Sequence, residues 1–288
     1  MTQRVLVAGA TGAVGSLVVK QLAERGIAVR VLCRQGAQAQ KLKHYTSDVV
    51  LGDALLDGSL RNACDGVSAV ISCLGATVGL KSPEKRSFRQ VDPVANGHLL
   101  HEAERAGTSR FVYLSVFIEP GYAHTDYILA HEEFVTRLRA SKVSSGVVRP
   151  TGIFTALTEL VEMAKKGLAI VIGDGQARSN PIHPEDVAAA CIRALEPGID
   201  ELPVGGPQVL TRAEVSLLAA QAVGKTVALR HIPPWTMLAA SACTKPFNRR
   251  LGELLEFGTR VATTNAVAPA VGTRTIEEFF NAHAQTLE

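Results

Sequence analysis

RVLVAGATGAVGSLVVKQLAERG, residues 4–26, is the stretch whose reading decides the fold. Its opening, Val5 to Ala10, is a short apolar run that reads as a strand buried on both faces. After it, Val14, Leu17, Val18 and Leu22 recur at helical spacing, and Gly26 stands past the end as a stop. Between strand and helix, Gly9, Gly12 and Gly15 lie at G-x-x-G-x-x-G spacing. Such a turn demands glycine twice: for backbone angles that other residues resist, and for a main chain that approaches a pyrophosphate closely. Amides at the head of the helix then meet the negative charge. The turn therefore predicts a dinucleotide site on Gly9, Thr11, Gly12, Ala13, Val14 and Gly15.

Outward from this unit the same alternation continues. Residues 28–34, 47–53, 67–75, 110–116 and 145–154 read as further strands, with a short helix at Leu60 to Cys64 and longer ones at 88–106 and 127–141. Continuous apolar strands joined by helical crossovers make a parallel sheet, because parallel neighbours need a crossover and crossovers put helices on both faces. The expected class is α/β, a doubly wound parallel sheet. Residues 1–155 form its core; residues 156–288 complete the sheet and supply a smaller, mostly helical cover integrated with it. In the second part, Thr211 with Glu214 three residues on predicts a capping box. The segment 233–265 is left open between a lid and a dimer face, so a homodimer stays possible.

Composition narrows the function classes. Apolar residues make up 47% of the chain, enough for a core on both sheet faces. Charges of both signs are interspersed, the formal net charge is +3 and aromatics are few, which speaks against nucleic acid as a partner. The five cysteines are scattered without a C-x-x-C pair, and no His, Asp or Glu cluster has zinc spacing, so neither a disulfide framework nor a metal is expected. With a strand at its beginning and no spanning apolar stretch, the chain reads as cytoplasmic, with no membrane and a small-molecule substrate as its partner.

The G-x-x-G-x-x-G spacing resembles the short-chain dehydrogenase/reductase superfamily in its extended or atypical branches, which have the Rossmann fold. Other stretches agree: Gly52-Asp53 after the third strand, Ser115 at the end of VYLSV, the helix from Tyr127, Arg149-Pro150 after it, and HPEDVA at 183–188. The resemblance covers about three-quarters of the chain. It implies that Asp53 contacts adenine and that Leu74, Gly75, Pro150 and Ile153 border the cofactor, the nicotinamide lodging near Pro150 to Ile153. At the end of the second strand an acid would accept from a ribose 2′-hydroxyl and repel a 2′-phosphate. This chain has Cys33-Arg34 there, and arginine offers a planar fork to phosphate, so the expected cofactor is NADP(H).

The same resemblance implies a catalytic Ser-Tyr-Lys set, with tyrosine and lysine at i, i+4 on one helix face. Ser115 and Tyr127 match, whereas His131 occupies the lysine position. Free imidazole has a pKa of about 6.5, so His131 is left to relay a proton or, at lower pH, to supply the cation. Three readings stay open: a working site with histidine substituted, a nucleotide-binding protein without chemistry, or chemistry elsewhere. Asp92 departs from the family's asparagine and is read as a helix-terminus acid. His183 is expected to fix a loop and cap a helix together with Asp186; Trp235 is read as pocket lining or as core or interface packing. Two functions compete. One is an NADP(H)-dependent oxidoreductase acting on a small, apolar carbonyl or activated alkene; the other is an NmrA-like redox sensor.

Overall fold

The computed structural model describes residues 4–76, 78 and 85–287. Its strands are β1 (Arg4–Ala8), β2 (Ala28–Cys33), β3 (Asp48–Leu51), β4 (Ala69–Ser72), β5 (Arg110–Leu114) and β6 (Ser144–Pro150). Then come β7 (Ala169–Ile172), β8 (Arg178–Ser179), β9 (Glu201–Val204), β10 (Leu210–Thr211) and β11 (Leu229–Ile232). The helices are α1 (Gly15–Glu24), α2 (Gly36–Ala39), α3 (Phe88–Arg105), α4 (Asp126–Arg139) and α5 (Thr158–Lys165). They continue with α6 (Pro184–Arg193), α7 (Arg212–Ala222), α8 (Pro234–Thr244), α9 (Arg249–Ala262) and α10 (Ile276–Thr286).

Strands β3-β2-β1-β4-β5-β6-β9 form one sheet in that order, every pair parallel. The double winding follows from the period-two geometry of β1. Val5 and Val7 pack with Val18 and Leu22 of α1 and with Val187 and Cys191 of α6. Leu6 and Ala8 point to the opposite face, into the layer of Leu99 and Ala103 from α3 and Phe134 and Leu138 from α4. Winding runs one way from β1 to β3 and the other way from β4 onward. The crevice where α/β sheets bind ligands lies at that reversal, beyond the carboxyl ends of β1 and β4.

The expected α/β architecture is thus present, with a mostly helical C-terminal part that lends β9 to the sheet. One expected element is absent: Leu60 to Cys64 forms turns, not a helix. Positive φ at Gly58 (71°), Asn62 (67°) and Gly66 (67°) interrupts the right-handed helical region three times in nine residues. The capping box at α7 is formed, Thr211 Oγ1 accepting from Glu214 N–H at 3.1 Å while Thr211 N–H donates to Glu214 Oε2 at 2.7 Å. His183 caps α6 by itself through Nδ1, 3.2 Å from Glu185 N. Asp186 does not share that role; it accepts from Thr273 N–H at 3.0 Å and from Arg274 at 3.1 Å. Packing of α5, α7 and α10 around Phe154, Val161 and Phe280 makes a separate small core, and α8 and α9 pair as a hairpin with α9 laid against α4.

Candidate functional site

A cavity of about 630 Å³ opens at the sheet's reversal point, within the size range of cofactor pockets. Five segments wall it: the turn at Gly9, Thr11 and Gly12; the end of β2 at Leu32 to Arg34; Gly52 to Leu55 beyond β3; Cys73 to Ala76 beyond β4; and Arg86 with the first turns of α3.

Each glycine of the turn has its own physical reason. Gly9 has φ +72°, and a Cβ there would lie 2.5 Å from Cys73 O, so the turn both bends left-handed and brushes the exit of β4. A Cβ on Gly15 would stand 2.1 Å from Gly9 O, so this glycine lets α1 pack onto the turn. Gly12 is different: its Cβ would meet only Gly9 O, at 3.3 Å. A side chain there would ask Gly9 O to give by only a few tenths of an ångström, yet it would project from a residue that walls the cavity. A bare main chain on a cavity at the head of a helix is what a pyrophosphate requires, and the residues present fit a dinucleotide.

Of the residues expected at the cofactor, Gly9, Thr11, Gly12, Arg34, Asp53, Leu74 and Gly75 share this cavity. Ala13, Val14, Gly15, Pro150 and Ile153 are not among its walls. Val14 is buried in the α1 layer, Pro150 O accepts from Phe117 N–H at 2.9 Å, and Ile153 bridges to Ile182 beyond the end of β6. Arg34 is exposed at the rim, with no acid beside it in the cavity wall at the end of β2. Asp53 turns its own loop, Oδ1 accepting from Leu55 N–H at 3.0 Å.

The floor of the cavity comes from α3, which the glycine motif does not reveal. Ser87 caps this helix in a second capping box, with Gln90. One turn in, Asp92 and Asn96 lie four residues apart and share a face. Asn96 ties down the exit of β4, accepting from Ser72 Oγ at 2.5 Å and donating to Leu74 O at 3.3 Å and Asp92 O at 2.8 Å. Asp92 Oδ1 accepts from Ala76 N–H at 2.6 Å, while Oδ2 is buried with no hydrogen-bond partner among the described residues. Burial raises this carboxyl to about 7, against smaller lowering effects from the Ala76 amide and Arg250. The reading of Asp92 as a helix-terminus acid is corrected: it is fully buried and walls the cavity. The legible signal was the spacing of Asp92, Ala95 and Asn96, which puts all three on one face of a helix that follows the glycine turn in the chain.

Ser115, Tyr127 and His131 form a second group, beside β5 and α4 and outside the cavity walls. Ser115 is buried at the exit of β5, and its hydroxyl accepts from Arg149 Nη1 at 3.5 Å. That guanidinium also pairs with Glu132 at 2.8 Å and Glu201 at 2.7 Å, which ties α4, β6 and β9 together. Tyr127 stands half-buried at the head of α4, its ring 4.8 Å from Phe88, 4.7 Å from His131 and 4.3 Å from Phe257 of α9. Burial and the nearby Asp92 carboxyl raise its phenol above the usual tyrosine value.

His131 sits on the buried stripe of α4, with Ile128, Val135 and Leu138 at helical spacing. Its Nδ1 shares a 2.6 Å hydrogen bond with the Tyr113 hydroxyl, inside the layer between α4 and β5. Burial, with a smaller effect from Arg149, lowers it to about 3. The expectation that His131 supplies a cation at lower pH is therefore corrected: it stays neutral well below pH 6. Trp235 is 70% exposed and absent from the cavity walls, which corrects the pocket-lining and core readings and leaves the interface reading.

The family described as NAD(P)H-binding matches residues 9–197. A divinyl chlorophyllide a 8-vinyl-reductase of Cucumis sativus is 30% identical over 253 residues, which is 80% of this chain and 59% of that protein. The chain thus spans about three-fifths of that reductase's length. The photosystem II assembly factor Ycf39 of Trieres chinensis is 24% identical over 79% of this chain and 72% of its own. Among solved structures, an NADPH-dependent quinone oxidoreductase of Escherichia coli, complexed with NADPH, superposes with a TM-score of 0.74 at 18% identity. That superposition covers 99% of this chain and all of the other, and at such identity it speaks for the fold.

Proposed function

Because the chain belongs to the NAD(P)H-binding family, we propose that it is an NADP(H)-dependent reductase of a small, largely apolar substrate bearing an activated alkene or a carbonyl. The observation that carries this reading is the glycine turn opening on a 630 Å³ cavity whose rim offers Arg34 where an acid would select NAD. In this reading the amides at Gly12 and the head of α1 hold the pyrophosphate, and Arg34 holds the 2′-phosphate. Asp53 with Leu55 borders the adenine. When bound, the cofactor supplies hydride. The alkene arm draws support from the 30% identical relative, which is named as a vinyl reductase.

Tyr127 is the proposed proton donor, with Ser115 orienting the substrate. The raised phenol keeps its proton at neutral pH. His131 assists by packing against the Tyr127 ring and fixing its orientation, not by charge. A second reading, a redox sensor that binds NADP(H) without turnover, is favoured by one observation: the residue in the lysine position is a buried histidine bonded to Tyr113.

The test is to titrate NADPH and NADH separately, then to follow NADPH consumption with vinyl-bearing aromatics, enones and aldehydes. Wild type is compared with Tyr127→Phe. NADPH preferred over NADH, with turnover lost in Tyr127→Phe, is the expected result. Turnover unaffected by Tyr127→Phe refutes the assignment of the proton donor. Tight NADPH binding with no turnover on any substrate class favours the sensor.

A further inference from the structure

Asp92 belongs neither to the glycine turn nor to the group of Ser115, Tyr127 and His131, yet it walls the cavity. It lies one turn along α3 from Phe88, whose ring packs on Tyr127. Its two oxygens are unequal. Oδ1 is already an acceptor for Ala76 N–H, so a proton on this carboxyl stands on Oδ2. Oδ2 is then a donor that the described residues leave without an acceptor. From α9 the Arg250 cation faces this carboxyl, held by Arg86 O at 3.2 Å and stacked 4.2 Å from the centre of the Phe88 ring. From β5 and α4 the Tyr113 and Tyr127 hydroxyls feel its charge, and Arg86 shares the cavity wall. Burial outweighs Arg250 and the Ala76 amide and lifts the carboxyl to about 7, so both protonation states are present near neutral pH.

We propose that Asp92 makes cofactor binding proton-linked: its neutral carboxyl admits NADPH, donating from Oδ2 to an oxygen of the dinucleotide, and its carboxylate disfavours the same ligand. This rests on the reading of the cavity as an NADP(H) site. Ribose hydroxyls pair with either form of a carboxyl, so they do not discriminate. The phosphates do, because they are anionic and share one cavity with Asp92, and a like charge nearby favours the protonated form. A ligand that fills the cavity also removes water from beside the carboxyl, which acts in the same direction. NADPH therefore binds the protonated protein more tightly and takes up a proton as it binds.

The sign and size follow from that linkage. With the carboxyl at about 7 in the free protein, affinity is full at pH 6 and falls by up to about tenfold for each pH unit above 7. Asp92→Asn is the matched control. It keeps an acceptor for Ala76 N–H, and its amide donates at the Oδ2 position at every pH. Ionisation of the 2′-phosphate and of other side chains is common to both proteins and cancels in the comparison.

Titration calorimetry of the full chain with NADPH at pH 6 and pH 8, each in two buffers of different ionisation enthalpy, reads affinity and proton uptake together. Circular dichroism confirms that both proteins are folded at each pH. From pH 6 to pH 8 the dissociation constant of wild type should rise about tenfold more than that of Asp92→Asn, the two being comparable at pH 6. At pH 8 wild type should take up about 0.9 proton more than the variant on binding. The same pH response in the two proteins, or equal proton uptake, overturns the proposal and leaves the NADP(H) site standing. Absence of NADPH binding at both pH values removes the site and the proposal together.

Discussion

Replacing Asp92 by asparagine is expected to stabilise the cofactor-free protein, and more so at higher pH. Burial raises the carboxyl from 3.8 to about 7, so the folded state holds this proton more tightly than the unfolded state does. Wild-type stability is therefore lost as pH rises from about 4 to about 7, and the whole cost is in force above that. Three pH units at about 1.4 kcal/mol each make the cost about 4 kcal/mol at pH 8 and about 2 kcal/mol at pH 5. Asparagine keeps the acceptor for Ala76 N–H and never ionises, so the variant escapes this cost. With an unfolding entropy of about 2.1 cal/mol/K per residue over the chain, the gain in melting temperature is about 7 °C at pH 8 and about 3 °C at pH 5. Scanning calorimetry of both proteins at both pH values measures it. Other titrating groups, His131 among them, act on wild type and variant alike and cancel in the difference. A gain equal at the two pH values, or a loss at pH 8, refutes a buried carboxyl ionised at a cost.

The glycines separate folding from binding. Gly12→Ala should change stability by less than about 1 kcal/mol yet abolish NADPH binding, whereas Gly15→Ala, with its Cβ 2.1 Å from a backbone oxygen, should unfold at far lower urea. Parallel urea and NADPH titrations distinguish them, and equal effects would contradict the geometry. Arg34→Ala should reduce the preference for NADPH over NADH by about tenfold or more, read from the ratio of their dissociation constants. An unchanged ratio would remove Arg34 from the site. His131→Lys, which restores the superfamily's residue, should cost about 3–5 kcal/mol, because it buries a cation in the layer that holds Tyr113 and near Arg149. Retained stability in urea would show that the lysine reaches out of that layer.

The fold was legible because parallel sheets write their burial into continuous apolar runs, and the runs at Val5, Val29, Val70, Val112 and Val147 all became sheet strands. Half of the cavity was legible too, because glycine where a backbone must bend or bare itself is a local demand. Gly9, Gly12 and Arg34 needed no partner from elsewhere in the chain to be recognised. His131 was not legible in the same way. Its spacing from Tyr127 matched a catalytic pattern, but its charge state depends on what surrounds it, and only packing between α4 and β5 brought Tyr113 to its Nδ1. Asp92 carried a similar ambiguity: an acid near a helix start is ordinary until the exit of β4 closes over it and leaves one oxygen without a partner among the described residues. Periodicity and glycine are local properties and the sequence alone determined them, whereas burial, and the protonation that follows from it, came from contacts between residues far apart in the chain.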